Sequence, residues 1–169
     1  MKSLRTFYIA AMALVLMIAG KVQAQEVKHG LTWYTDINKV HELAQKTKKP
    51  VFAFFTGSDW CGWCHRLEAA VFDKPNFQKW AKDNVILLEL DFPRRKELPQ
   101  ALQEQNQGLQ QFFGVQGYPT IWLFNIDKDK ATGKYNIAAY GSLGYPTAEK
   151  GQEEATFLAN ANQILKNKK

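Results

Sequence analysis

The apolar residues of this chain come in two rhythms. Residues 36–48 (DINKVHELAQKTK) put Ile37, Val40, Leu43 and Ala44 at helical spacing, with Asp36 as N-cap and Pro50 as the stop. Residues 51–55 (VFAFF) and 85–90 (VILLEL) are continuous apolar runs of strand length, as in strands covered on both faces. Between them, a helix is predicted from the region of Cys61 through Arg66, Leu67, Ala69, Ala70 and Val71. A short helix opened by Pro75 follows it and carries Phe77 and Trp80. Residues 98–113 form a Gln-rich amphipathic helix with Gly108 as a candidate interruption. After a loop at 114–119, residues 120–125 and 135–140 form two strands around a charged turn. Residues 149–166 close the pattern as a helix with Phe157, Leu158, Ala161, Ile164 and Leu165 on one stripe. The order is helix, strand, helix, strand, helix, strand, strand, helix, in which the short Pro75 helix extends the one before it. This predicts an α/β domain: a mixed sheet flanked by helices on both faces.

The front of the chain has a different composition. Lys2 and Arg5 precede an uncharged apolar stretch over residues 6–20, and small residues follow up to Ala24. That is the pattern of a secretory signal peptide over residues 1–24, with the mature domain at 25–169. The apolar stretch is short for a membrane span, which needs about 20 residues; if left uncut it would tether the protein instead. Cleavage lowers the formal net charge from +6 to +3, because Lys2, Arg5 and Lys21 go with the segment. The remaining charges of both signs are mixed along the chain, which gives no footprint for nucleic acid. An exported, periplasmic monomer is the expectation.

The two cysteines of the chain, Cys61 and Cys64, stand three apart. A bridge between them closes almost no loop and would stabilise the fold little, so the pair points to chemistry. Cys61 follows a buried strand and sits where a helix begins. Free backbone N–H groups and the positive end of the helix dipole favour a thiolate there. Cys64, one turn on, is placed to attack a mixed disulfide formed at Cys61. Asp59 is the expected cap of that helix. Gly62, Trp63 and His65 surround the sulfurs and would tune the couple. Trp63 brings neither charge nor hydrogen bond, so a more reducing pair is expected than a His at that position would give. His29 and His41 read as surface residues with nothing to pair with.

A second feature, Gly117-Tyr118-Pro119-Thr120, lies directly before the third strand. Together with Thr56 to Cys64 (TGSDWCGWC), it makes the chain resemble the thioredoxin superfamily, and in particular exported bacterial thioredoxin-like proteins. The resemblance covers nearly all of residues 25–169 and implies a thioredoxin fold. It implies a cis Pro119 facing the dithiol, and a substrate segment held by Trp60, Tyr118, Pro119 and Thr120. It implies a thiol–disulfide oxidoreductase, leaning to reduction, with Cys61 as nucleophile, Cys64 as resolving cysteine and no cofactor or metal. Its partners would be disulfide-containing exported proteins and a membrane or periplasmic thiol donor. One departure stands out. Thioredoxins carry a buried Asp in the strand before the motif, and the matching position here is Phe54, beside Ala53.

Two other functions compete. Cys61 to His65 also reads as C-x-x-C-H, the attachment motif for c-type haem. Against it, all three Met lie within residues 1–24, so the common Met axial ligand is missing from the mature domain. The other is a thioredoxin-fold binding or chaperone module in which the cysteines are merely retained. A zinc site is poorly served by two Cys and one adjacent His.

Overall fold

A computed structural model of the chain describes residues 25–167; the expected signal segment, 1–24, lies outside the described residues. The elements are β1 (Gln25–Lys28), β2 (Leu31–Tyr34), α1 (Ile37–Thr47), β3 (Val51–Thr56), α2 (Gly62–Leu67), α3 (Pro75–Asn84), β4 (Ile86–Asp91), α4 (Gln100–Phe112), β5 (Thr120–Lys128), β6 (Tyr135–Leu143) and α5 (Glu153–Leu165). The strands form one mixed sheet in the order β1-β2-β4-β3-β5-β6. β3 and β4 pair in parallel, as do β2 and β4, whereas β5 runs antiparallel to β3 and β6 antiparallel to β5. This is the expected α/β architecture, widened by two strands.

The uninterrupted apolar runs are explained by burial on both sides. Every residue of β3 and β4 is buried. Phe52, Phe54 and Leu87 face one layer with Leu67, Val71, Phe72, Phe77, Phe157 and Ala161 from the helices. Val51, Ala53, Phe55, Leu88 and Leu90 face the other, against Ile37, Val40, Ala44, Leu109 and Phe113. The first layer is unusually aromatic. Phe72 and Phe77 stack at 4.7 Å between ring centroids, with Phe52, Phe54, Trp33 and Phe157 edge-on or tilted around them. Edge-to-face and offset arrangements let ring quadrupoles attract while burying large areas.

Several boundaries differ from expectation, each for a local reason. The β1–β2 hairpin was not expected. β1 is exposed, with Val27 at 73 %, so it carries no alternation to read. Its turn is His29-Gly30, both at positive φ (56° and 65°), the geometry of a two-residue type I′ hairpin. His29 also has a partner, contrary to expectation: its Nδ1 lies 2.6 Å from Asp73 Oδ1. His41 is half-buried against Tyr135, at 5.5 Å between rings, with Asp127 3.9 Å from its Nε2. Gly108 does not interrupt α4, which runs continuously from Gln100. α5 starts at Glu153 rather than 149, because Gly151 at φ 88° breaks the helical path just before it. Asp36 does cap α1, accepting the Asn38 N–H at 2.8 Å. α2 continues into a π-helical turn over Glu68–Phe72, whose wider backbone carries Val71 and Phe72 into the core.

Candidate active site

Strand β3 ends at Thr56, and the next residues form a tight loop into α2. Gly57 O accepts N–H bonds from Trp60 (3.1 Å) and Cys61 (2.8 Å). Gly57 must lack a side chain here: a Cβ would sit 2.4 Å from the Trp60 ring. Cys61 is itself the N-cap of α2, its Sγ accepting the Cys64 N–H at 3.2 Å. The expected cap, Asp59, turns the other way. Its carboxylate accepts from the Arg94 N–H (3.0 Å) and the Arg95 N–H (2.7 Å), so it caps the loop after β4 instead. Desolvation works against that carboxylate's charge, yet the two N–H bonds and the nearby Arg95 charge hold it below the ordinary Asp value.

Cys61 and Cys64 are joined in a disulfide. Both cysteines are buried, Cys64 fully and Cys61 at 5 % exposure, so Cys61 keeps the little exposed surface the pair has. Trp63, between them, is 53 % exposed, and its ring meets Tyr145 at 5.1 Å. On the other side, Trp60 meets Tyr118 edge-on at 5.8 Å and donates its Nε1–H to Phe92 O at 2.8 Å. Tyr118 stacks on Phe92 at 5.2 Å, and the Tyr118–Pro119 peptide is cis. The Tyr118 hydroxyl accepts from Gln110 (2.8 Å). Burial, reinforced by the Asp91 charge, pushes this phenol up to about 12. Thr120 donates its hydroxyl to Gly117 O at 2.7 Å and so braces the loop from within. His65 is exposed and donates its Nε2–H to Ser58 O at 2.9 Å, so that nitrogen is engaged away from the sulfurs. Gly62 is exposed, and a side chain there would meet open space.

Asp91 organises this loop, a role not expected from the sequence. Its carboxylate, at the buried end of β4, accepts the Ser58 N–H (2.8 Å) and Ser58 hydroxyl (2.7 Å) and pairs with Lys96 (3.0 Å). Asn106 in turn donates to Asp91 O at 2.9 Å. A carboxylate ending an apolar strand next to a turn was the available signal. Phe54 is fully buried and apolar, as expected. The carboxylate in that layer is Glu89, in register with Phe54 across the β3–β4 pair and ion-paired to Lys28. Burial holds the Glu89 carboxyl above the ordinary Glu value, against the Lys28 charge.

The family model described as Thioredoxin-like matches residues 32–125 of this chain. The chain belongs to the thioredoxin-like family. Among curated relatives it is 32 % identical over 80 residues to the disulfide bond reductase DsbH of Chlamydia pneumoniae, covering 47 % of this chain and 48 % of that protein. It is 21 % identical over 166 residues to the thioredoxin-related protein DsbJ of the same organism, covering 97 % of this chain and 46 % of that protein. The chain therefore spans about half the length of the curated relatives it matches. Among solved structures, a DsbH oxidoreductase superposes with TM-score 0.66 at 24 % identity, over 89 % of this chain and 92 % of that one. A thioredoxin from Thermus thermophilus gives 0.53 at 18 %, over 79 % and 85 %. Both likenesses establish the thioredoxin fold.

Within that fold the haem alternative fits poorly. Its two attachment sulfurs would have to be accessible, yet Cys64 is sealed in the core, and the His65 Nε2 that would face an iron is bonded to Ser58 O. Among the described residues no group of three or more His, Cys, Asp or Glu could hold a metal ion, and no helix is long and apolar enough to cross a membrane.

Proposed function

We propose that this chain is a thiol–disulfide oxidoreductase acting on exported proteins, with net flow toward substrate reduction. The observation that carries it is a disulfide at a helix start whose first cysteine keeps a little exposed surface and whose second has none. Cys61 caps α2, where the Cys64 N–H already points at its sulfur. On reduction that N–H and the helix dipole stabilise a Cys61 thiolate. The thiolate attacks a substrate disulfide, forming one S–S bond and expelling one substrate thiolate. Cys64 then loses its proton and attacks Cys61 Sγ, releasing the second substrate thiolate. Two electrons pass to the substrate, and the Cys61–Cys64 disulfide remains. A periplasmic or membrane dithiol donor restores the pair. The likeness to the disulfide bond reductase DsbH supports the reductive direction.

The substrate segment lies along Trp60, Tyr118, Pro119 and Thr120, opposite the disulfide. Gly62, Trp63 and His65 set the potential, and no cofactor or metal takes part. The protein works as a monomeric domain over residues 25–169, after loss of residues 1–24, and binds no nucleic acid.

The test is a trapping series. Cys64→Ser, used in its reduced form, should accumulate mixed disulfides with disulfide-containing periplasmic proteins, seen as β-mercaptoethanol-sensitive adducts on gels. Cys61→Ser should give none, and insulin reduction by it should vanish. Equal trapping by both variants, or insulin reduction surviving in Cys61→Ser, would overturn the assignment.

A further inference from the structure

Two aromatic pairs are built on residues next to the cysteines, Trp60 with Tyr118 and Trp63 with Tyr145, and each tryptophan carries an arginine. On one side the Arg94 guanidinium lies 3.7 Å from the Trp60 ring centroid. On the other, the Arg66 guanidinium lies 4.6 Å from the Trp63 centroid. Both arginines are exposed, and neither takes part in an ion pair among the described residues. The neighbouring carboxylates are engaged elsewhere: Asp59 by the Arg94 and Arg95 N–H groups, and Asp91 by Ser58 and Lys96. Two further carboxylates stand near in sequence, Glu97 after Lys96 and a half-buried Glu68 at the foot of α2. Arg95, exposed beside Arg94, adds a third cation.

A guanidinium held over a ring face by its carbon still has N–H donors directed away from the ring, and such a fork of donors can grip a carboxylate in two places. Stacking also removes rotational freedom before any ligand arrives. Arg94 is further fixed through its backbone by Asp59. The site thus holds two preorganised carboxylate receptors, one beside Cys61 and one beside the Cys61–Cys64 turn. Given the oxidoreductase reading above, on which this rests, we infer that the protein selects disulfides in protein segments with acidic side chains on both sides of the reacting cysteine. Arg94 takes the carboxylate on the Trp60 side and Arg66 the one on the Trp63 side. The chemistry is unchanged: protein dithiol and segment disulfide become protein disulfide and two segment thiols, with two electrons and two protons transferred.

The probes are three peptide homodimers, each joined by one cystine whose half-sites are flanked on both sides by Glu, by Gln or by Lys, with blocked termini. The reduced protein is mixed with each, thiol release is followed by chromatography, and each rate is divided by that of dithiothreitol with the same peptide. The normalised order should be Glu, Gln, Lys, with Glu about tenfold or more above Lys at low ionic strength and the ratio shrinking in salt. Arg94→Gln and Arg66→Gln should each lower that ratio about threefold, and Arg66→Glu with Arg94→Glu should reverse the order. Equal normalised rates for the three peptides, or an order unmoved by the double charge reversal, would overturn this inference and leave the oxidoreductase reading standing. Glutathione disulfide outpacing the Glu peptide would also overturn it, by assigning the receptors to small acidic disulfides. A wild type that reduces none of these disulfides would overturn the oxidoreductase reading itself.

Discussion

At the scale of single residues, the site is held by groups whose roles depend on one or two contacts. Gly57 exists so that the Trp60 ring can lie where a methyl group would be, and the Trp60 indole then reaches Phe92 O. Asp91 clamps Ser58 from a strand 33 positions further along the chain. Glu89 is a buried carboxyl in register with Phe54 of the aromatic layer. Burial holds its carboxyl above the ordinary value of 4.5; the Lys28 ammonium opposes this, and Asp91 and Glu26 add to it. The native state therefore keeps a proton that the unfolded chain has already released. That contribution to stability is full below the unfolded value and is lost as pH rises through the native one. Urea unfolding of the oxidised protein should accordingly show stability falling from this group as pH rises above about 4.5. Glu89→Gln should flatten that part of the profile, and an unchanged slope would show that Glu89 titrates alike in both states.

At the scale of elements, the informative case is the β1–β2 hairpin. It widens the sheet next to β4 and brings Lys28 to Glu89. Its turn demands positive φ at both central residues, and only Gly30 adopts that without steric cost. A Cβ at Gly30 would also press on the Gln78 side chain at 3.3 Å. Gly30→Ala should destabilise the protein by about 1–2 kcal/mol, visible as a lower urea midpoint at unchanged slope. A neutral result would mean the turn relaxes to another type. The hairpin was hard to read because one strand is four residues long, three of them exposed, and the turn begins with His rather than the usual Asn or Asp. By contrast α1 was legible to its cap, since Asp36, helical spacing and Pro50 all act within one helix length.

At the scale of the whole molecule, the sheet separates two cores, and the dithiol belongs to the aromatic one. Phe157 of α5 has no exposed surface and touches Phe52, Phe72 and Phe77. It ties the last helix to the layer beneath Cys64. Phe157→Ala should cost about 3–5 kcal/mol, the usual range for truncating a buried Phe. Chemical denaturation would measure it; a loss below about 1 kcal/mol would mean the layer collapses around the gap. Local patterns sufficed for the elements from α1 onward, for the burial of β3 and β4 on both faces, and for the Cys61–Cys64 pair at a helix start. Those signals are periodicities and spacings within a few turns of chain, where sterics and local hydrogen bonds decide. What meets the pair is set by long-range packing. Asp59 turns from α2 to the Arg94–Arg95 backbone, Asp91 reaches back to Ser58, Tyr145 closes on Trp63, and Arg94 settles on Trp60. Each of these joins residues more than thirty positions apart. Such contacts follow from strand order and register, which no local pattern encodes.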